Sequence, residues 1–224
     1  GHRNLFEKVY QLVKSFALKG KLKLVNQCQD GHGSILDFGC GTGDFLMQTQ
    51  TNSWKSYGYE PNEKARELAK SKGLCLIDDL NDVDDHFFDV ITLWHVFEHL
   101  SDPEESIVNF KRILKPNGTL IIAVPNYKSY DAQYYGKFWA AYDVPRHLWH
   151  FSRKSFEILS DNQNMKVKKV LPMWWDSFYV SLLSEKYKKG RMNPIRAIWI
   201  GLKSNLYGKR NHEFSSHIYI INNI

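Results

Sequence analysis

The chain has 224 residues, 43% of them hydrophobic and 24% charged, with a formal net charge of +6. That is ordinary globular composition and enough for one sizeable core, so a single domain over residues 3–224 is the default expectation. Cys28, Cys40 and Cys75 are scattered and form no Cys-x-x-Cys pair. This argues against a zinc ribbon or disulfide scaffold and for a reducing cytoplasm. No signal peptide and no apolar run of membrane-spanning length is read, and Gly1-His2 looks like an expression remnant.

Residues 3–19 place Leu5, Phe6, Val9, Leu12, Val13, Phe16 and Ala17 at helical spacing, which predicts an amphipathic leading helix. Residues 20–33 read as a basic, then glycine-rich link. Ile35, Leu36 and Phe38 follow as one short buried strand over 34–38. Gly39, Gly41 and Gly43 then alternate with Cys40 and Thr42, and an apolar helix resumes over 43–50. Strand, glycine turn and helix bring bare backbone and a helix N-terminus to one point, a place for a ligand. The spacing is Gly-x-Gly-x-Gly, not the Gly-x-Gly-x-x-Gly of dinucleotide sites. Asp37, just before the turn, suits a cationic ligand or caps the turn.

Downstream, an aromatic strand over 54–59 ends in Glu60-Pro61-Asn62, and a helix over 63–72 is read with Ala65, Leu68 and Ala69 inward. A strand over 74–77 ends in Asp78-Asp79, and another over 87–94 ends in Trp94-His95. The acid-rich start at Asp102-Pro103 opens a helix to Leu114 that stops at Lys115-Pro116-Asn117-Gly118. A strand over 119–124 closes in Pro125-Asn126. Residues 126–151 read as a long aromatic lid, Ser152 caps a helix to about Ser160, and 166–171 is a further strand. Residues 172–210 read as two helices forming a basic cover, and 216–222 as a last strand.

This alternation predicts an α/β, doubly wound sheet with helices on both faces. Its polar strand ends, Asp37, Glu60, Asp78-Asp79, Trp94-His95 and Pro125-Asn126, are expected along one rim, where such sheets bind ligands.

Several segments together resemble the class I S-adenosylmethionine-dependent methyltransferases. They are Asp37-x-Gly-Cys-Gly-Thr-Gly43, Glu60 closing the second strand, Phe88-Asp89-Val-Ile, Glu98-His99-Leu-x-Asp102-Pro103, Leu114-Lys-Pro-Asn-Gly118 and Pro125-Asn126. Asp143-x-Pro-Arg-His147-Leu-x-x-Phe151-Ser152 resembles the subgroup of ubiquinone-type O-methyltransferases and uncharacterised bacterial relatives. The resemblance covers roughly residues 30–170. It implies a Rossmann-like, seven-stranded sheet with an antiparallel last strand, S-adenosylmethionine as cofactor and S-adenosylhomocysteine as product. Gly39, Cys40, Gly41 and Gly43 would lie under the methionine part, and Asp37 would relate to its amino group. Glu60, with Pro61 beside it, would take the ribose hydroxyls. Asp78 and Asp79 would border the adenine, and Trp94 and His95 would close over the cofactor.

For catalysis the lid offers His147 and His150, each read either as a general base or as a tie that orders the loop. Asp143 and Arg146 read as a pair. His95, Glu98 and His99 could share a helical face as divalent-metal ligands. More simply, His95 touches cofactor while Glu98 and His99 hold the loop, and no metal is expected. The acceptor implied is a small molecule, aromatic or lipid-linked, methylated on a hydroxyl oxygen.

Residues 186–210 carry Lys186, Lys188, Lys189, Arg191, Arg196, Lys203, Lys209 and Arg210 without an acid, beside an apolar stripe of Ile195, Ile198, Trp199, Leu202 and Leu206. This reads as a helical cover with a solvated basic face, or as contact with an anionic membrane. Two alternatives stay open: an RNA methyltransferase using this segment, disfavoured by the lack of an RNA-binding module, and a non-catalytic cofactor-binding relative. Oligomeric state is not legible.

Overall fold

The computed structural model describes residues 2–29 and 33–223, with first-helix side chains described from Ser15 onward. It divides into two compact units, Gly1–Thr92 with Lys111–Thr119, and Leu93–Phe110 with Leu120–Ile224. One seven-stranded mixed sheet is ordered β3-β2-β1-β4-β5-β7-β6, from β1 (Ser34–Phe38), β2 (Lys55–Tyr59), β3 (Cys75–Leu76), β4 (Phe88–Trp94), β5 (Leu114–Pro125), β6 (Met165–Pro172) and β7 (Ser216–Asn223). β1 is buried throughout and pairs in parallel with both β2 and β4. β6 and β7 pair antiparallel. The sheet is therefore mostly parallel, with antiparallel strands at its C-terminal end.

In the first unit, α1 (His2–Cys28) runs well beyond residue 19, so the basic link over 20–28 is helix. Lys and Leu are good helix formers, and Leu22 and Val25 are buried. Phe16, expected inward, is 61% exposed. Leu5, Phe6, Val9, Leu12 and Val13 lie outside the described side chains. The Trp54 indole donates to Asn26 Oδ1 at 2.9 Å, fastening α1 to the entry of β2.

α2 (Asp44–Gln50) follows the glycine turn, and α3 (Glu63–Ser71) is capped by the Asn62 side chain, which accepts from Ala65 N. Leu68, expected inward, is exposed, whereas Ala69 is buried as expected and packs with Cys40, Leu46 and Leu74. α4 (Pro103–Ile113) passes directly into β5, so Lys115-Pro116-Asn117-Gly118 is extended strand and not a turn. Two interactions hold it there. Phe87 N donates to Ile113 O at 2.9 Å, and Lys115 Nζ lies 2.8 Å from Asp89, whose carboxylate also accepts from Ser34 N.

In the second unit the 127–150 stretch is more structured than a loop. It forms α5 (Tyr130–Tyr135) and two 3-10 turns at 136–138 and 140–142. Tyr135, Trp139, Ala140 and Ala141 are buried against Val180 and Ile200. These two residues belong to α7 (Asp176–Lys189) and α8 (Pro194–Asn211), and α6 (Arg153–Asn162) precedes β6. The lid aromatics thus serve packing first.

Asp131 ties this unit together. Its buried carboxylate accepts from Trp139 Nε1 at 2.7 Å, Ser215 Oγ at 2.7 Å and Ser204 Oγ at 2.6 Å. Asp131→Ala should lower stability by about 3 kcal/mol or more, since three buried donors lose their acceptor. Urea unfolding followed by circular dichroism measures it, and Ser204→Ala should cost only about 1 kcal/mol.

Candidate active site

The first unit carries the glycine turn. Gly39 N and Cys40 N both donate to Tyr59 O, which anchors the turn to the end of β2. Gly41 has φ +56, and a Cβ there would meet nothing within 4 Å. Gly43 has φ +79, and its Cβ would sit 2.1 Å from Leu74 Cδ1, so both conformation and packing demand glycine. Glu60 curls over the turn. Its Oε2 accepts from Gly41 N and its Oε1 from Asn62 N, each at 2.8 Å. Pro61 is exposed beside it.

Asp37 is buried and accepts from Thr92 Oγ1 at 2.7 Å. Burial pushes its carboxyl up to about 6, against the pull of the Thr92 hydroxyl. The Cys40 thiol, pushed up to about 12 by burial and by Asp37 and Glu60, is no nucleophile at neutral pH. Asp78 is exposed and lies 3.4 Å from Lys70 Nζ, while Asp79 caps the short turn at 80–82 by accepting from Asn81 N at 2.9 Å. The turn with its open Gly41 face and the Glu60 acceptor fits a ligand bearing hydroxyls and a cation.

The second unit holds a cavity of about 290 Å³. Its lining includes His95, Glu98, Asp143, His147, Asp176 and Tyr179. β4 ends at Trp94, and His95, the next residue, has φ +58. The His95 ring sits between two carboxylates, with Nδ1 3.3 Å from Glu98 Oε1 and Nε2 3.1 Å from Asp176 Oδ2. Burial works against its charge, but Asp176, with Glu98 behind it, outweighs this and lifts the imidazolium to about 10. Asp176 in turn accepts from Ser216 Oγ. Asp176 was not singled out in the sequence, where its only local sign is an acid opening a helix after Trp174-Trp175.

Glu98 is fully buried, and its backbone carbonyl accepts from Leu148 N at 2.9 Å and Trp149 N at 3.3 Å. His99 Nδ1 lies 2.9 Å from Arg146 O. Glu98 and His99 therefore hold the 143–149 segment, and Arg146 pairs with Asp143 at 2.6 Å. His147 Nδ1 lies 2.8 Å from the Ala141 carbonyl, which can only accept, so Nδ1 carries the proton and Nε2 is the basic nitrogen. Burial lowers the His147 pKa below its ordinary value.

His150 lies apart from this cavity. It is exposed, meets Tyr142 edge-on at 5.1 Å, and lines a separate cavity of about 600 Å³ with Asp102 and Trp149. The three ligating groups that come together are Glu98, His99 and His147, with one atom of each within 4.8 Å of the others. His95 is engaged by Asp176 instead.

A family model described as a methyltransferase domain matches residues 3–170. The chain belongs to this methyltransferase family. It is similar to a ubiquinone biosynthesis O-methyltransferase of Neisseria meningitidis, 26% identical over 168 residues, 61% of this chain and 70% of that protein. It is also similar to an uncharacterised methyltransferase of Anoxybacillus flavithermus, 33% identical over 96 residues, 40% of this chain and 45% of the relative. The chain thus spans less than half of that second relative.

Among solved structures, an S-adenosylmethionine-dependent methyltransferase of Thermotoga maritima, described as a possible histamine N-methyltransferase, aligns with TM-score 0.58 and 25% identity over 75% of this chain and 80% of that one. One from Archaeoglobus fulgidus shares the fold at TM-score 0.62, with 18% identity over 99% of both chains. This methyltransferase is an enzyme that uses S-adenosylmethionine.

The His95 charge is also a stability term. A folded pKa of about 10 against an ordinary 6.5 means its contribution is complete below pH 6.5 and is lost as pH rises through about 10. The difference in urea midpoint between wild type and Asp176→Asn should therefore be largest near pH 6 and shrink toward pH 10.

Proposed function

We propose that this methyltransferase methylates a hydroxyl oxygen of a small-molecule acceptor held in the His95–His147 cavity. The observation that carries this reading is the His147 tautomer, with Nδ1–H committed to the Ala141 carbonyl and a basic Nε2 in a half-buried, apolar-walled cavity. The printed name of the Neisseria relative, an O-methyltransferase, supports the same chemistry.

The cofactor, when bound, supplies an electrophilic methyl on a sulfonium, with a neutral thioether as leaving group. Glu60 takes the ribose hydroxyls by exchanging its two backbone donors for them. The turn at Gly39, Cys40, Gly41 and Gly43 carries the methionine part. Asp37 takes the ammonium, which would draw its raised pKa down again. Pro61, Asp78 and Asp79 flank the base. His147 Nε2 accepts the acceptor's hydroxyl proton as the oxygen bonds to carbon. A phenol needs such help, since its pKa is about 10. The His95 imidazolium, with one ring nitrogen facing Asp176 and the other Glu98, gives the cavity wall a fixed positive charge. His150 is outside the lining of this cavity, its ring centre 6.5 Å from that of His147.

The Glu98, His99 and His147 cluster favours a second reading, in which those three bind a divalent cation that polarises the acceptor oxygen. Dialysis against EDTA separates the two readings. Activity and metal content both unaffected support the base, and stoichiometric metal lost together with activity supports the cation.

Calorimetric titration with S-adenosylhomocysteine, with NAD as control, tests the cofactor assignment. Binding of the former alone is expected, and Glu60→Ala should weaken it at least 10-fold, since charged hydrogen bonds are each worth about 1.5–3 kcal/mol. With an accepted phenol, His147→Gln should lower kcat by about 10² to 10⁴. The wild-type rate should fall on the acid side, with an apparent pKa below 6.5 as His147 protonates. A rate unchanged in His147→Gln would refute the base assignment.

A further inference from the structure

The apolar stripe of helix α8 points outward, with Ile195 83%, Trp199 58%, Leu202 46% and Leu206 59% exposed. At 100° per residue these four fall within an arc of about 60°. The buried side carries Ala197, Ile200, Gly201, Ser204 and Gly208. The physical reason is the closeness of the neighbours. A Cβ on Gly201 would lie 2.6 Å from the Phe178 ring, and one on Gly208 2.5 Å from Phe214. At Gly201 and Gly208 no side chain fits inward, so the helix lies close on its neighbours along that side and the apolar stripe faces out. A surface helix ordinarily turns its polar face to water, and a contiguous apolar patch marks a contact surface.

Charge decides what that contact is. Residues 186–210 contain no acid. Arg196 and Lys189 spend part of their charge on the buried Glu185, at 3.5 and 3.9 Å. Lys186, Lys188, Arg191 and Arg210 are exposed, and Lys203 Nζ lies 5.2 Å from the Trp199 ring centre. Trp175, just before α7, and Tyr179 and Tyr187 on it are also more than half exposed. An apolar arc bordered by one sign of charge and by indole and phenol rings matches a surface that is apolar below and anionic above. A second copy would set cation against cation. RNA would meet the cations and leave the apolar arc in water.

We propose that α8 docks this protein on an anionic phospholipid bilayer, lying in the interface plane. Ile195, Trp199, Leu202 and Leu206 enter the acyl boundary, and Lys186, Lys188, Arg191, Lys203 and Arg210 meet the acidic head groups. No helix among the described residues is long and apolar enough to cross a membrane, so the contact is peripheral. Neither the acceptor nor the His147 assignment enters into this.

The test is sedimentation of the full chain with vesicles of equal parts phosphatidylcholine and phosphatidylglycerol, against phosphatidylcholine alone. The expected result is binding to the mixed vesicles that weakens as salt rises. Lys203→Gln with Arg210→Gln should lower partitioning about 30-fold. Trp199→Ser with Leu202→Ser should lower it more than tenfold. Both pairs lie on the surface, and their folding is checked by circular dichroism and by unchanged S-adenosylhomocysteine binding. Wild-type protein that is folded and stays off the mixed vesicles overturns the proposal. So does partitioning unchanged in both variants, or self-association in ultracentrifugation that Leu202→Ser abolishes while vesicles bind nothing.

Discussion

The second unit depends on one buried carboxylate. Asp131 has no exposed surface, and its three donors come from the 3-10 turn at Trp139, from α8 at Ser204 and from the entry to β7 at Ser215. A charge held in a dry interior tolerates little displacement of its partners, because an unmet donor or acceptor there costs more than the bond contributes. With Trp139 pinned, Ala140 and Ala141 are placed, and the Ala141 carbonyl selects the His147 tautomer. The catalytic reading of His147 thus rests on a carboxylate that touches no substrate.

The two cavity histidines are separated by their surroundings. His95 has a carboxylate at each ring nitrogen and is held as the cation, whereas His147 has a carbonyl at one nitrogen and its carboxylates no closer than 3.8 Å. One side chain type therefore supplies a fixed positive charge and a free acceptor in one cavity. Glu98 serves both arrangements, with its side chain beside His95 and its carbonyl capturing the 148–149 backbone. In the first unit the same economy appears at Glu60, whose two oxygens rest on Gly41 N and Asn62 N and so stand ready for a ligand's hydroxyl pair.

The outward stripe of α8 shows how packing overrides amphipathic pattern. An apolar period reveals that a helix has a sticky side and does not say which way it turns. The tight approach of Phe178 and Phe214 decides that, because at Gly201 and Gly208 it leaves room for no side chain.

Much of this was legible in the chain itself. Short apolar runs ended by Asp37, Glu60 and Trp94-His95 announce buried parallel strands, because period, length and turn chemistry are local properties. The glycine spacing separated this turn from a dinucleotide site for the same reason, and the ordered motifs carried the family. The Lys115–Gly118 turn was misread because proline and glycine are local breakers, and only the Asp89–Lys115 pair across strands reveals an extended run. Asp176 and Asp131 carry no local signal of their partners: Asp176 meets His95 and Ser216 at separations of 81 and 40 residues.

 Asp131 meets Ser204 and Ser215 at separations of 73 and 84 residues, and no local pattern reports contacts that distant. By itself the sequence determined the strand and helix order, the glycine turn and the family, because these follow from neighbours along the chain. Only the tertiary structure decided which histidine is charged, which nitrogen of His147 is basic and which face of α8 meets the outside. Protonation and exposure depend on groups that folding alone brings together.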